Sequence, residues 1–393
     1  MKKSPRLKIL ILQDHLEAGG AARAASRHAR ALEQAGHAVV QVAGDATETR
    51  KTRCCSGKPA TGWSRLFEKL LPRPQQRAGR SRRVQLRWGQ ILNDLQPDLV
   101  WCHNLAGAGK WGWSLAMLET ALSQKPVVWT LHDMWALGEG EPYFDEEKIA
   151  DFRHSPLRRL AQHPRIRQLK VSAPSRWLTN LARAFPAGAA SYLPNPLDLS
   201  IFRPVDKSSP RQDPVLSLMA VADSYADPRK GFSLLMQAFQ QAQKGSLPIT
   251  LNLMARDCPA DVRRIPGVRV HSPTLVEREL AVRLAAADLF VHPASRENAP
   301  CVIQEALACG TPVAAFSVGG IPEMIEEQKT GWLLGPPCLV TLAELFQRLA
   351  KNPSILGTLR RASREQALRE YSPDAVVARF EALVGDLLPV QKA

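Results

Sequence analysis

Short apolar runs alternate with amphipathic stretches along most of this chain. The first half reads "LKILIL", then "ARAASRHARALEQAG" with its apolar positions at helical spacing, then "HAVVQVAG", "PDLVWCH", "PVVWTLHD" and "KVSAPS". Continuous apolar runs separated by amphipathic helices are the pattern of a parallel sheet covered on both faces. Around "YLPNPLDLSIFRPVDKSSPRQDP" the alternation gives way to proline, aspartate and serine, the composition of an interdomain linker. A second series follows: "VLSLMAVA", a helix at "KGFSLLMQAFQQAQ", "ITLNLMA", "VRVHS", a helix at "ERELAVRLAAA", "DLFVHPA", "PVAAF" and "GWLLG". The pattern predicts an α/β protein of two doubly wound, Rossmann-like domains, residues 1–200 and 214–370, joined by a linker at 201–213. Beyond Pro353 it turns helical, and the tail at 371–393 is placed to pack back on the first domain. Two such domains imply a cleft between them, because open α/β sheets bind ligands beyond the carboxyl ends of their strands.

Composition adds constraints. The 393 residues exceed one ordinary core, and 45% hydrophobic with 23% charged residues is ordinary globular content. The apolar run from Leu7 to Leu12 is too short for a signal peptide or a membrane span and reads as a first strand. Seven cysteines without a CxxC pair give neither a zinc pattern nor a disulfide framework, which suits a reducing cytoplasm. The net charge of +15 is concentrated: between Arg50 and Trp88 twelve Lys or Arg face the single acid Glu68. Trp63, Leu66, Phe67, Leu70 and Leu71 lie in the same stretch, so it reads either as a basic amphipathic segment on an anionic membrane surface or as a solvated loop. No nucleic-acid module accompanies it, and no nucleic-acid partner is expected. Eight of the nine tryptophans lie at or before Trp177, among them Trp111, Trp113, Trp129 and Trp135. They suit a core, a sugar-stacking surface or a lipid interface.

Candidate chemistry centres on "SRENAPCVIQEALACGTPVAAF". Asn298 is placed to cap a helix there, Pro300 to occupy its first turn and Gly310 to end it. Glu297 stands at the carboxyl end of the strand "DLFVHP". The amides of Cys301 and Val302 open the following helix and suit phosphate oxygens. Glu305, with seven residues between it and Glu297, has the chemistry to accept two hydrogen bonds from vicinal hydroxyls, as on a ribose. Gly19 and Gly20, after the first strand, let backbone amides approach a diphosphate, or simply make a tight turn. No Asp-x-Asp triplet and no His or Cys cluster with ligand spacing occurs, so neither a metal nor another cofactor is expected.

The segment "HPASRENAPCVIQEALACGTPVAAFSVGGIPEMIEEQKTGWLLGP" resembles the signature of retaining family 4 glycosyltransferases, enzymes of the GT-B fold. The resemblance covers nearly the whole chain: "EAGGAARAASRHARALEQAGHAV" is similar to the family's first loop and helix, "LPNPLDLSIFRP" to its linker and "DPRKGFSLLMQAF" to its phosphate-binding lysine region. "WCHN" with "VVWTLHDMWAL" resembles the bacterial branch that builds exopolysaccharides and surface glycans. The resemblance implies a nucleotide-diphosphate sugar as donor, a glycan or lipid-linked glycan as acceptor, retention of configuration and no metal. It implies Glu297 beside the donor sugar, Glu305 on the ribose, Lys230 on the departing diphosphate and His132 at the sugar. His103, Asn104 and Asp133 fall in the acceptor region. The family's Gly-Arg pair before the lysine is replaced by "AVADSYADPRKG", where Arg229 is the candidate substitute, and its glycine-rich turn after the first glutamate is "NAP". A nucleotide-sugar epimerase of related architecture and a silent nucleotide- or membrane-binding scaffold are the alternatives.

Overall fold

The computed structural model describes residues 6–16, 19–56, 73–105, 113–185, 190–205, 215–245, 247–274 and 276–388. Trp63, Leu66, Phe67, Leu70, Leu71 and Trp111 lie outside them. The chain forms two compact units, Met1–Pro196 with Pro373–Ala393, and Leu197–Ser372.

In the first unit seven strands form one parallel sheet. They are β1 (Lys8–Leu12), β2 (Ala38–Ala43), β3 (Thr52–Cys54), β4 (Leu99–Cys102), β5 (Val127–Thr130), β6 (Leu169–Ala173) and β7 (Ala190–Tyr192), in the order β3-β2-β1-β4-β5-β6-β7. Every residue of β4 and β5 is buried, which is why these strands are unbroken apolar runs. The edge strands β3 and β7 are three residues each and carry no apolar run, so the pattern does not predict them.

The helices of this unit are α1 (Gly20–Gln34), α2 (Arg73–Leu95), α3 (Leu115–Gln124), α4 (Pro156–Leu160), α5 (Arg176–Arg183) and, from the tail, α11 (Pro373–Val384). Helix α2 resolves part of the basic stretch: Val84, Trp88, Ile91 and Leu92, at helical spacing, enter the core, and the Trp88 indole donates to the Met117 carbonyl at 2.9 Å. Trp101, Trp113 and Trp129 are core as well. Helix α11 brings Val376, Phe380 and Val384 against Ala25, Ala29 and Leu32 of α1. His37 fixes it there, one ring nitrogen accepting from the Leu7 amide and the other 3.2 Å from Glu381.

The second unit holds a six-stranded parallel sheet of β8 (Leu216–Ser224), β9 (Ile249–Arg256), β10 (Val268–His271), β11 (Leu289–His292), β12 (Val313–Phe316) and β13 (Gly331–Leu334). Its order is β10-β9-β8-β11-β12-β13. Its helices are α6 (Phe232–Gln243), α7 (Glu277–Ala286), α8 (Cys301–Ala308), α9 (Leu339–Lys351) and α10 (Ser354–Tyr371). In helix α8 the N-cap position is held by Pro300, which has no side-chain cap bond to make, and Asn298 lies in the preceding turn. Proline has no amide to give up there, and its extended backbone delivers the chain into the first turn. Gly310, with φ 68°, ends the helix as expected. The Arg364 guanidinium donates to the Ala308 carbonyl at its last turn, and also to Phe202 and Leu199. Among the described residues no helix is long and apolar enough to cross a membrane.

Candidate functional site

Each sheet reverses its winding direction once, and there the loops at the carboxyl ends of two adjacent strands diverge and leave a crevice. In the second unit those strands are β8 and β11. Lys230 lies in the turn after β8 and Glu297 in the turn after β11, and the lysine ammonium pairs directly with the glutamate carboxylate.

Backbone packing makes that pairing possible. Asp227 caps the turn Pro228–Lys230 by accepting from the Arg229 amide at 3.0 Å, and its other oxygen takes the Arg229 guanidinium at 2.7 Å. Arg229, the candidate phosphate ligand, thus reaches the right turn while engaged with Asp227. The Arg229 carbonyl accepts the Ser295 amide at 2.8 Å, joining the two turns. Gly231 sits against Pro293 at φ 69°, and a Cβ there would fall 1.9 Å from the Pro293 carbonyl oxygen. Only glycine allows both the left-handed backbone and the approach.

Glu297 is 8% exposed. Burial pushes its carboxyl up, but the His292 imidazole and the Lys230 ammonium outweigh that and hold it at about 2. His292 ends β11 with Nε2 3.7 Å from the Glu297 carboxylate. Cys301 and Val302 open α8, where the first backbone amides have no intrahelical acceptor. Glu305 follows one turn later, fully buried. Lys230, Arg229, Glu297, Cys301, Val302 and Glu305 therefore all belong to the β8 and β11 turns or to the helix that follows them.

In the first unit the switch lies between β1 and β4. Gly19 caps α1 at φ 92°, a conformation that favours glycine, and a Cβ on either Gly19 or Gly20 would meet open space. Asn104 donates to Asp14 across the two loops at 3.2 Å. Asp133 accepts the Trp135 amide at 2.9 Å, which sets the turn after β5. His132 opens that turn, half-buried, with Nε2 2.9 Å from Nδ1 of His103. His103, expected in the acceptor lining, is 1% exposed and stands behind His132, its backbone amide held by the Leu12 carbonyl.

Sequence reasoning missed His28, His292, Asp14, Asp227 and Gly231. His28 occupies the buried face of α1 between Ala24 and Leu32 at four-residue spacing, which marks it as an inward-facing histidine. Gly231 had a signal in its position directly after the candidate lysine.

The family model described as "Glycosyl transferases group 1" matches residues 216–352, and that described as "Glycosyltransferase Family 4" matches residues 18–201. The chain is 29% identical over 109 residues to the N-acetyl-alpha-D-glucosaminyl L-malate synthase of Bacillus anthracis, a match covering 28% of this chain and 29% of that protein. In structure it is similar to the sucrose-phosphate synthase of Thermosynechococcus elongatus, with TM-score 0.74 and 21% identity over 97% of this chain and 99% of that one. It is also similar to Anabaena Alr3699/HepE in complex with UDP-glucose, with TM-score 0.65 and 17% identity over 97% and 99% of the two chains. These likenesses identify the architecture as GT-B. The chain spans about three tenths of the length of the malate synthase, and other curated relatives are matched over at most about half of theirs.

Proposed function

The chain belongs to the family 4 glycosyltransferases, and from that premise we propose that it moves a sugar from a nucleotide-diphosphate sugar to a glycan acceptor, lipid-linked, with retention of anomeric configuration. The observation that carries this reading is the Lys230–Glu297 pair at the β8/β11 switch point. A half-buried cation held at strand ends by a buried carboxylate, with the opening amides of α8 in the next element, suits a diphosphate whose charge grows as the glycosidic bond breaks. In this reading Lys230 leaves Glu297 for the phosphate oxygens, and Glu297 becomes free to accept from sugar hydroxyls. Glu305 holds the ribose, and no metal has a part.

On the first unit the reading gives His132 a neutral imidazole for a sugar hydroxyl. Burial lowers its pKa to about 4, so at neutral pH it acts through hydrogen bonding rather than charge. Asn104 and Asp133 are assigned to the acceptor, and the arginines of α2 to an anionic membrane surface on the cytoplasmic side. The Anabaena structure with UDP-glucose makes a uridine nucleotide the first donor to try.

The test incubates the protein with UDP-sugars, with and without lipid-linked glycan fractions, and follows nucleoside diphosphate release. A transferase releases diphosphate in proportion to acceptor. Conversion of donor without acceptor would instead make it an epimerase, and donor binding without turnover a silent scaffold.

A further inference from the structure

His292 ends β11 with only 3% of its surface exposed, and neither ring nitrogen meets a hydrogen-bond partner among the described residues. Its ring lies 6.2 Å from that of Phe290 with the planes 29° apart, a contact that serves the ring face and not the nitrogens. A buried imidazole with both nitrogens unspent calls for an explanation, since buried polar groups are as a rule hydrogen-bonded.

Its Nε2 faces Oε1 of Glu297 from 3.7 Å, beyond a hydrogen bond but within ion-pairing range. The Lys230 ammonium holds that same oxygen. Two donors are thus aimed at one acceptor atom, the lysine in contact and the histidine next in line. The lysine side chain is 24% exposed and has room to turn outward. His292 is fixed: its backbone lies in the sheet beside Ala315 of β12, and the following Pro293 packs on Gly231. Burial works to neutralise the Glu297 carboxyl, and His292 and Lys230 together hold it ionised at about 2. A buried carboxylate that lost the lysine and gained nothing would be left uncompensated.

We propose that His292 is a positioning residue that takes over Oε1 of Glu297 when Lys230 leaves it: the imidazole donates from Nε2, holds the carboxylate in place and leaves Oε2 for a sugar hydroxyl. Closing the gap by about 0.5–1 Å suffices, a small rotation of the carboxylate once the ammonium is gone. The lysine then serves a diphosphate without stranding the glutamate. The succession from Lys230 to His292 stands on this geometry. That a diphosphate draws the lysine away rests on the proposed function.

Two double-mutant cycles test the succession. The first needs no ligand: Lys230→Met removes the lysine, and urea denaturation at neutral pH compares the native protein, Lys230→Met, His292→Phe and the double variant. With the lysine present, His292→Phe should move the midpoint little. Without it, the same change should destabilise much further, so that the double variant falls well below the sum of the singles. His292→Gln, whose amide lies near the position of the imidazole Nε2, should restore most of that loss, and His292→Leu repeats the cycle if the phenylalanine does not fit. The second cycle reads the affinity for UDP by calorimetry. His292→Phe should weaken UDP at least about ten-fold, and His292→Gln should recover most of the loss. In the Glu297→Gln background, where there is no carboxylate to strand, His292→Phe should change the affinity by less than about two-fold. A histidine that only fills space would act alike in every background. Additive effects in the first cycle, or an equal loss of UDP affinity with and without Glu297→Gln, overturn the proposal. If the first cycle couples and the native protein neither binds UDP nor transfers a sugar, His292 still succeeds Lys230, and only the proposed function falls.

Discussion

Lys230 and Glu297, 67 residues apart in the chain, form a mostly buried ion pair across the switch point of the second sheet. The pair is neutral as it stands, and under the proposed function its cation is the one that would meet the departing diphosphate. Removing one partner strands the other charge away from water, which costs about 3 kcal/mol or more. Lys230→Ala should therefore lower stability as well as abolish transfer. Glu297→Gln, which leaves an amide in place of the carboxylate and the lysine 24% exposed, should be milder in urea denaturation and equally dead in the assay. Wild-type turnover in either variant would remove the pair from the mechanism.

Gly231→Ala tests how the pair is assembled. The added Cβ collides with the Pro293 carbonyl and strains a backbone at φ 69°, so the β8 and β11 turns must separate. The expected result is a loss of about 2 kcal/mol or more in unfolding free energy and a donor affinity reduced at least ten-fold, read by thermal shift with UDP-sugars. Native affinity in this variant would mean that the two turns need not touch.

Much of this arrangement could be read before the fold was known, and the exceptions have physical causes. The inner strands announce themselves because a strand buried on both faces has no polar position to break its apolar run, as in "LVWC" and "VVWT". Strands β3 and β7 do not, because three edge residues need no such run. Glu297, Lys230 and His132 were visible as types at strand ends, but the pairing of Lys230 with Glu297 depends on a backbone contact at Gly231 that no local pattern encodes. His103 illustrates the converse: the sequence put it at a strand end facing ligand, whereas a residue directly after a buried strand can equally turn into the core, and here Trp101 and His28 receive it.

Acid should expose the histidine stack. His28 is held at about 3, chiefly by burial with the neighbouring His132 adding to it against an opposing contact from Asn195, and His132 is held at about 4. Each lies below its value of 6.5 in the unfolded chain, so the unfolded state takes up protons first as pH falls. Their stabilising contribution is complete above about pH 6.5 and is lost progressively down to the folded values, at up to roughly 1.4 kcal/mol per pH unit for each ring. Glu297 contributes in the same direction only lower down, between its ordinary 4.5 and about 2. Urea midpoints should therefore fall between pH 6.5 and 4.5. His28→Phe should flatten that slope, and an unchanged slope would show that His28 is protonated in the folded protein.

Metal removal gives a further check on the site. If Lys230 and the α8 amides carry the diphosphate charge, transfer measured in excess EDTA should match transfer without it, and added magnesium should change kcat by less than about two-fold. A reaction that stops in EDTA and returns with a divalent cation would assign that charge elsewhere.

Helix α2 offers the most direct test of the membrane partner. Its apolar stripe of Val84, Trp88, Ile91 and Leu92 is spent on the core, so this helix cannot also lay that face into a bilayer. What it turns outward is basic: Arg73, Arg77 and Arg82 are exposed, with Arg80 and Arg83 half-buried beside them and Leu86 exposed at 63%. Attraction to an anionic leaflet is then chiefly electrostatic, about 1 kcal/mol for each basic residue near the surface and reduced by salt. Replacing Arg77, Arg80, Arg82 and Arg83 with Ser should cost up to roughly 4 kcal/mol of binding to vesicles rich in anionic lipid, with native donor affinity in solution. Because the core face of α2 is untouched, the thermal midpoint should shift little, which separates lost membrane contact from lost fold. Leu86→Ser alone should weaken vesicle binding only slightly, since one side chain at the interface adds little to four charges. Unchanged sedimentation of the quadruple variant with such vesicles at physiological salt would reduce the arginines to a solvated helix face and leave the lipid-linked acceptor without support from this surface.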